Sequence, residues 1–265
     1  MRRFTPAFLL LGGVLAAFGH DMYIMPASFQ PAKGATLTVG FHVGDSFPES
    51  EVSGRIERLQ NPRLIGNSGT AAFRNLRVEG KRDLGDVVVG GPGELIAAVS
   101  TTPTLIELEP EKFAEYLKEE GLGHVVAWRA AHGESGGAGK ERYSKYAKSL
   151  LVSGVSDGFF DHVVGYAIEI VPEADPYKLK AGDQLPIRVL FRGKPAADLQ
   201  IEAAWAGDGG NKTVVVGRTG TDGRLKVPIG SVGRWRLHTI KMERCAEPAV
   251  ADWESFWASL TFELR

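Results

Sequence analysis

Apolar and polar residues alternate through the first part of the chain in the way that β-strands require. In residues 35–43, Leu37 and every second residue up to Val43 are apolar, and mostly polar residues lie between them. A period of two is typical of a half-buried strand. Further strands are predicted in residues 55–60, 71–79, 86–89, 94–101 and 104–108. The Gly-Gly-Pro-Gly sequence at residues 90–93 predicts a hairpin loop between two of them.

The period changes to that of a helix after these strands. Acidic residues around Pro110 suit a first helical turn, an apolar stripe begins at Phe113, and Gly121 is placed to end the helix. A second helix is predicted over residues 124–132. Residues 140–151 fit either a helical stripe or a strand.

The pattern in the second part of the chain predicts a small antiparallel β-sandwich. A strand over residues 163–171 leads into a Pro-rich linker that begins at Pro172. Turn residues then separate strands at regular intervals. The predicted strands are residues 185–191, 199–205, 213–218, 225–228, 235–242 and 259–264. We therefore predict a mainly β protein with two β-sandwich domains of the immunoglobulin or prealbumin type. Residues 20–171 form the first, with one or two helical insertions, and residues 172–265 form the second.

Residues 1–19 have the three parts of an export signal. Two arginines precede an apolar run at residues 8–18, and small residues follow at the positions that a signal peptidase reads. Cleavage after residue 19 would leave His20 as the first residue of the mature protein; cleavage after Ala16 or Ala17 is the alternative. The apolar run is shorter than the roughly 20 residues of a spanning helix. We therefore expect a periplasmic or secreted protein with no transmembrane segment in the mature chain.

The composition of the chain argues against some classes of function and some sources of stability. The chain has 31 basic and 32 acidic residues, and the basic ones are dispersed, which argues against nucleic-acid binding. Cys245 is the only cysteine, so no intramolecular disulfide can form. Stability must come from apolar cores, for which the length is sufficient.

His20 is the main candidate for chemistry. An N-terminal histidine offers its α-amine and its imidazole together, and this pair can chelate copper or nickel. A second imidazole would complete a brace of three nitrogens, for which His238 is the first choice and His42 the second. Met242 shares a strand face with His238 and would add a thioether, and Asp21 is an optional weak ligand. His238 and Met242 are also compatible with an ordinary core.

Several segments of this chain are found in the same order in one known family. They are the His-Asp start after the export signal and residues 113–122, 141–148, 193–195, 221–224 and 252–255. In this combination the chain resembles a large family of exported bacterial proteins of unknown function, often described as nickel-uptake-transporter-like. The resemblance implies a periplasmic, β-rich protein linked to transition-metal handling, with His20 and Asp21 as the matching site residues.

The expected function is therefore binding of nickel or copper at His20, for uptake or handling, with a membrane metal transporter as the candidate partner. Delivery or sensing is expected rather than catalysis, and no catalytic residue is assigned. One alternative is an oxidative copper enzyme built on a histidine brace. The other is an envelope binding or structural module without metal, which predicts that His20 and His238 lie far apart.

Overall fold

The computed structural model describes residues 20–207 and 210–265. The predicted signal peptide, residues 1–19, lies outside this part of the chain. Most of the described structure is β-strand, and two helices lie between the eighth and ninth strands. The predicted mainly β fold with helical insertions is confirmed. Neither helix is long and apolar enough to cross a membrane.

The elements of the described residues follow in chain order. The first strands are β1 (Met22–Pro26), β2 (Thr36–Val43), β3 (Leu59–Gly66), β4 (Gly69–Ala72), β5 (Arg74–Glu79), β6 (Arg82–Val88), β7 (Gly93–Thr101) and β8 (Thr104–Leu108). The helices are α1 (Pro110–Glu119) and α2 (Gly123–Ala131). The later strands are β9 (Gly139–Ser153), β10 (Ile168–Pro172), β11 (Gln184–Phe191), β12 (Lys194–Pro195), β13 (Gln200–Gly207), β14 (Gly210–Arg218), β15 (Arg224–Pro228), β16 (Gly233–Arg244) and β17 (Trp253–Leu264).

A sheet of nine strands runs through the molecule. Its order is β14-β13-β16-β17-β9-β7-β3-β4, and β8 also pairs with β9. Strands β9 and β17 are parallel neighbours, so a long connection must join them. That connection contains the predicted domain boundary at residue 172. Strands from both sides of the boundary therefore share one sheet.

Both faces of the nine-stranded sheet are covered, as the alternation along β7 shows. Leu95 and Val99 belong to the core beneath the sheet β1-β2-β6-β5. Ile96 and Ala98 belong to the core beneath the sheet formed by β10, β11, β12 and β15. Burial on both faces explains why β7 is apolar at successive positions. Each fully buried Leu, Ile or Val stabilises the fold by about 1.5–3 kcal/mol.

The helices lie on the same face of the nine-stranded sheet as β1. The hydroxyls of Ser259 and Thr261 on β17 donate to backbone carbonyls of β1, at 2.7 and 2.6 Å. Further along this face, Trp253 and Trp257 pack against the helices. Since alternate residues of a strand share a face, β1 and α1 lie side by side over the sheet, and a cavity separates them.

Helix α1 forms as its sequence predicts. Pro110 occupies the first turn, and Phe113 and Leu117 are buried on one side. Gly121 follows the helix with a φ of 66°, a left-handed conformation that glycine adopts without steric cost. The second predicted helix is also present, as α2.

Several local predictions needed correction or a choice. The strand predicted at residues 55–60 is wrong over its first part, because Arg55 has a φ of 64° and Ile56–Arg58 form a short 3-10 helix, so that β3 begins only at Leu59. Residues 140–151 lie in strand β9 and not in a helix, because both faces of this segment are buried in the nine-stranded sheet. The hairpin predicted at residues 90–93 is wrong: β6 pairs with β2 and β5, whereas β7 pairs with β3 and β9. The predicted strand at residues 163–171 begins only at Ile168, since the backbone N–H groups of Val164 and Gly165 donate to the buried Glu169 carboxylate instead of to a strand.

Candidate functional site

The cavity between β1 and α1 has a volume of about 990 Å³ and is lined mainly by charged and aromatic side chains. Its floor is the nine-stranded sheet, where alternate residues of β9, β16 and β17 point toward it. Its sides are α1, the start of β1 and the loop after β2. Among the described residues, the lining contains eight carboxylates and four cationic side chains other than His20. The cavity therefore favours positively charged ligands.

His20 lies in this cavity, two residues before the start of β1. Its Nδ1 is 2.8 Å from Oδ2 of Asp45 and 3.4 Å from Oε2 of Glu51. Ligand atoms of these three residues lie within 4.8 Å of one another, a spacing that suits a shared metal ion. Both acidic residues belong to the loop after β2. The pairing of β1 with β2 therefore brings His20 beside Asp45 and Glu51.

The backbone at His20 is held from several directions. The Lys145 ammonium donates a hydrogen bond to the His20 carbonyl. The Asp21 carbonyl accepts from the backbone N–H of Gly44 at 3.0 Å, and the Asp21 N–H lies 3.4 Å from the Asp45 carboxylate. These contacts fix the imidazole of His20 beside the loop.

Asp21 anchors the same segment through buried charges. Its carboxylate lies 2.7 Å from Nη1 of Arg236 and 2.9 Å from Nδ1 of His238. Burial alone would raise the pKa of Asp21, but the charges of His238 and Arg236 lower the pKa to about 2. Asp21 is therefore ionised at neutral pH. Each of its oxygens lies beside one of these cations of β16, and Asp21 is not in the donor group formed by His20, Asp45 and Glu51.

His238 is positioned by carboxylates on both ring nitrogens. Besides Asp21 at Nδ1, the Glu120 carboxylate lies 3.2 Å from Nε2. Burial lowers the pKa of His238, but Asp21 and Glu120 overcome this effect and raise the pKa to about 10. Both nitrogens then carry protons, and a protonated imidazole has no lone pair for a metal. His238 lines the cavity with His20 but is not placed to act as its second ligand.

His42 and Met242 lie elsewhere. Nδ1 of His42 is 3.0 Å from the carbonyl of Pro48, its ring packs beside Tyr23, and burial lowers its pKa. Met242 is fully buried with Phe113 beneath the helices, where a flexible thioether fills space. In the described part of the chain, the group of His, Asp and Glu donors around His20 includes neither His238 nor His42.

Sequence reasoning missed Asp45 and Glu51. Strand β1, which was not predicted, would have located them. It pairs antiparallel with β2, with Pro26 opposite Val39 and Met22 opposite Val43. Continuing this register by two residues places His20 opposite Asp45. The pairing partner of β1 was thus the missing information.

Lys145 and Glu141 on β9 complete the charged lining. Burial lowers the pKa of Lys145 to about 8 and raises that of Glu141 to about 7. Glu141 accepts hydrogen bonds from the hydroxyls of Tyr116 and Ser255. The ring of Tyr116 stacks on Trp257 with 5.8 Å between centroids. One wall of the cavity is therefore aromatic, with titratable groups beneath it.

Three solved structures illustrate the remote similarity of this chain to known folds. The "D0-D1 domain of Intimin" has 12% identity and a TM-score of 0.19, over 92% of this chain and 97% of that chain. A tetra-tandem repeat from the extending region of a large adhesion protein has 13% identity and a TM-score of 0.21, over 92% of this chain and 49% of that one. The three N-terminal domains of the highly immunogenic outer capsid protein of bacteriophage RB49 have 8% identity and a TM-score of 0.21, over 93% and 99%. Scores this low carry no argument about this chain.

Comparison with curated proteins found no match. A family model does match: residues 17–243 fit the family described as "Domain of unknown function (DUF4198)". The match covers most of the sequence, and the chain belongs to this family.

Proposed function

We propose that this member of the DUF4198 family is an exported protein that binds a divalent transition metal, nickel or copper, at His20. In this proposal the signal peptide is removed after residue 19, and the new α-amine and Nδ1 of His20 chelate the ion. Asp45 and Glu51 supply carboxylate oxygens. The protein would take up or deliver the ion in the periplasm, with a membrane transporter as the receiving partner.

The position of Nδ1 carries the proposal. Of the two ring nitrogens, Nδ1 is the one close enough to the α-amine of the same residue to close a small chelate ring. It is also the nitrogen that lies 2.8 Å from Asp45 and 3.4 Å from Glu51. An ion between these groups would meet nitrogen and carboxylate donors, a set that suits divalent first-row metals. The resemblance to nickel-uptake proteins supports nickel as a candidate, and the burial of Met242 removes the argument for Cu(I).

The two alternatives fit the geometry less well. A histidine brace needs a second imidazole beside His20, and within the described residues both nitrogens of His238 face carboxylates. A purely structural module predicts that His20 and His238 lie far apart, yet both line one cavity. These observations favour binding and delivery over oxidation or a structural role.

The test is a calorimetric titration with Ni²⁺ and with Cu²⁺. One sample is secreted and trimmed to its natural start, and the matched sample carries one extra, N-terminally acetylated residue before His20. We expect tight binding only in the first, because the second has no free α-amine at or next to His20. Equal binding in both samples, or none in either, would overturn the proposal. Mass spectrometry of the secreted protein checks the start residue independently.

A further inference from the structure

The cavity is much larger than a metal ion requires. Its volume of about 990 Å³ lies in the range of roughly 300–1,000 Å³ that is typical of sites for small organic molecules. A single water-sized particle takes about 30 Å³. The group formed by His20, Asp45 and Glu51 therefore leaves most of the cavity, including its α1 side, without an assigned ligand.

Helix α1 turns a stripe of side chains toward this space. The lining residues Lys112, Glu115 and Glu119 are spaced by three and four positions, so they share one helical face, and the lining residue Glu120 follows directly after the helix. The carboxylate of Glu120 already forms an ion pair with His238. The side chains of Glu115 and Glu119 are exposed.

The placement of these two glutamates works against the stability of the helix. Like charges four residues apart repel each other on a helix surface. An acidic residue in the last turn also faces the negative end of the helix dipole. Glu115 and Glu119 thus add negative potential to the cavity, and Glu119 does so at the end of the helix where the dipole favours a cation. A cationic ligand would relieve both effects.

The part of the cavity beside this face is lined by apolar and aromatic side chains. Ile106, Tyr116 and Tyr143 are half-buried lining residues. The chain already places one ammonium group here, since Nζ of Lys145 lies 4.9 Å from the ring centroid of Trp257 and 5.3 Å from that of Tyr143. Aromatic rings and carboxylates together are the chemistry that recognises organic ammonium groups.

We propose that the α1 side of the cavity binds a small organic amine, an ammonium group on a compact apolar body. Glu115 and Glu119 hold the ammonium group, and Ile106, Tyr116 and Tyr143 contact the apolar body. This site is separate from the metal group at His20, and it binds its ligand in metal-free protein.

The experiment titrates metal-free protein, in buffer with a chelator, with 2-phenylethylamine at pH 7. The matched probe is 2-phenylethanol, which has the same body without the charge. We expect saturable binding of the amine and at least about tenfold weaker binding of the alcohol. Equal affinity for both, or no amine binding at millimolar concentration, overturns the proposal. Because no metal is present, this result is independent of the test of the His20 site.

A pair of double variants on one helix locates the site. Glu115→Gln/Glu119→Gln removes the cavity-facing charges, and Glu109→Gln/Glu111→Gln removes the same number of charges from exposed positions that do not line the cavity. We expect the first to weaken amine binding about tenfold and the second to change it less than twofold. Since all four positions are exposed, both variants should fold, which circular dichroism verifies. Equal losses in the two variants would show a general charge effect and overturn the assigned site.

Discussion

At the scale of single residues, His20 and its neighbour Asp21 have different roles in the candidate site: His20 is the candidate ligand, and Asp21 anchors the segment. The imidazole of His20 faces Asp45 and Glu51, whereas the carboxylate of Asp21 binds Arg236 and His238. Because Asp21 is fixed by two buried cations, the residue before it has little freedom to move away from the loop. A candidate ligand and its anchor are therefore adjacent in sequence but opposite in role.

The role of Asp45 gives a first prediction. Asp45→Asn should weaken nickel or copper binding at least about tenfold, since even the loss of an outer-shell partner costs about 10–100-fold in affinity. Calorimetry on protein that starts at His20 measures the effect. Glu49→Gln, an exposed position on the same loop, is the control and should change the affinity less than twofold. Equal losses in both variants would exclude Asp45 as a ligand.

His238 gives a prediction about pH. Its pKa is about 10 in the folded protein against an ordinary 6.5, so its contribution to stability is complete below pH 6.5 and is lost as pH rises through about 10. Lys145 has a pKa lowered to about 8 from 10.5. Its buried charge therefore destabilises the fold below pH 8, and this destabilisation is relieved as pH rises above 8, which opposes the effect of His238. The comparison must therefore be between the wild type and His238→Gln. We expect the stability advantage of the wild type, from urea unfolding at pH 6 and pH 10, to shrink at pH 10; a constant difference would contradict a charged His238.

At the scale of elements, α1 shows how one helix serves both the core and the cavity. Phe113 and Leu117 are buried against the sheet, and Glu115 and Glu119 line the cavity on another side of the same helix. The helical period of 3.6 separates the two sets. The position of the acidic residues thus depends on the packing of the apolar ones.

This division predicts different effects on stability along α1. Phe113→Ala should lower the free energy of unfolding by about 3–5 kcal/mol, because it leaves a cavity beneath the helix. Lys118→Ala, at an exposed position of the same helix, should change it by less than about 0.5 kcal/mol. Urea unfolding followed by circular dichroism measures both. A small effect of Phe113→Ala would mean that α1 is not packed as described.

At the scale of the whole molecule, the parallel pairing of β9 with β17 joins the two parts of the chain. The cavity depends on this pairing, since His20 and Lys145 come from the part before residue 172 and Arg236 and His238 from the part after it. The candidate site is therefore a product of the shared sheet.

The shared sheet predicts one cooperative unit. A fragment of residues 20–171 would expose apolar residues of β7 and β9 that the second part covers, such as Ile96 and Leu150. We expect this fragment to unfold without a sharp transition and residues 20–265 to unfold in a single one. Scanning calorimetry distinguishes the outcomes. Two separate transitions in residues 20–265 would support independent domains.

The sequence by itself determined the fold class, both helices and most strands, because local periodicity reports which side of an element is buried. It also singled out His20 from the residues around a predicted signal cleavage site. Only the tertiary structure decided what surrounds His20: the pairing of β1 with β2 brings Asp45 beside it, and two carboxylates surround His238. Spacing along one strand could not show this, because donor atoms from distant segments meet only when strand register and sheet order are known. The same limit applied to residues 140–151, whose local pattern fits helix and strand alike until burial on both faces selects the strand.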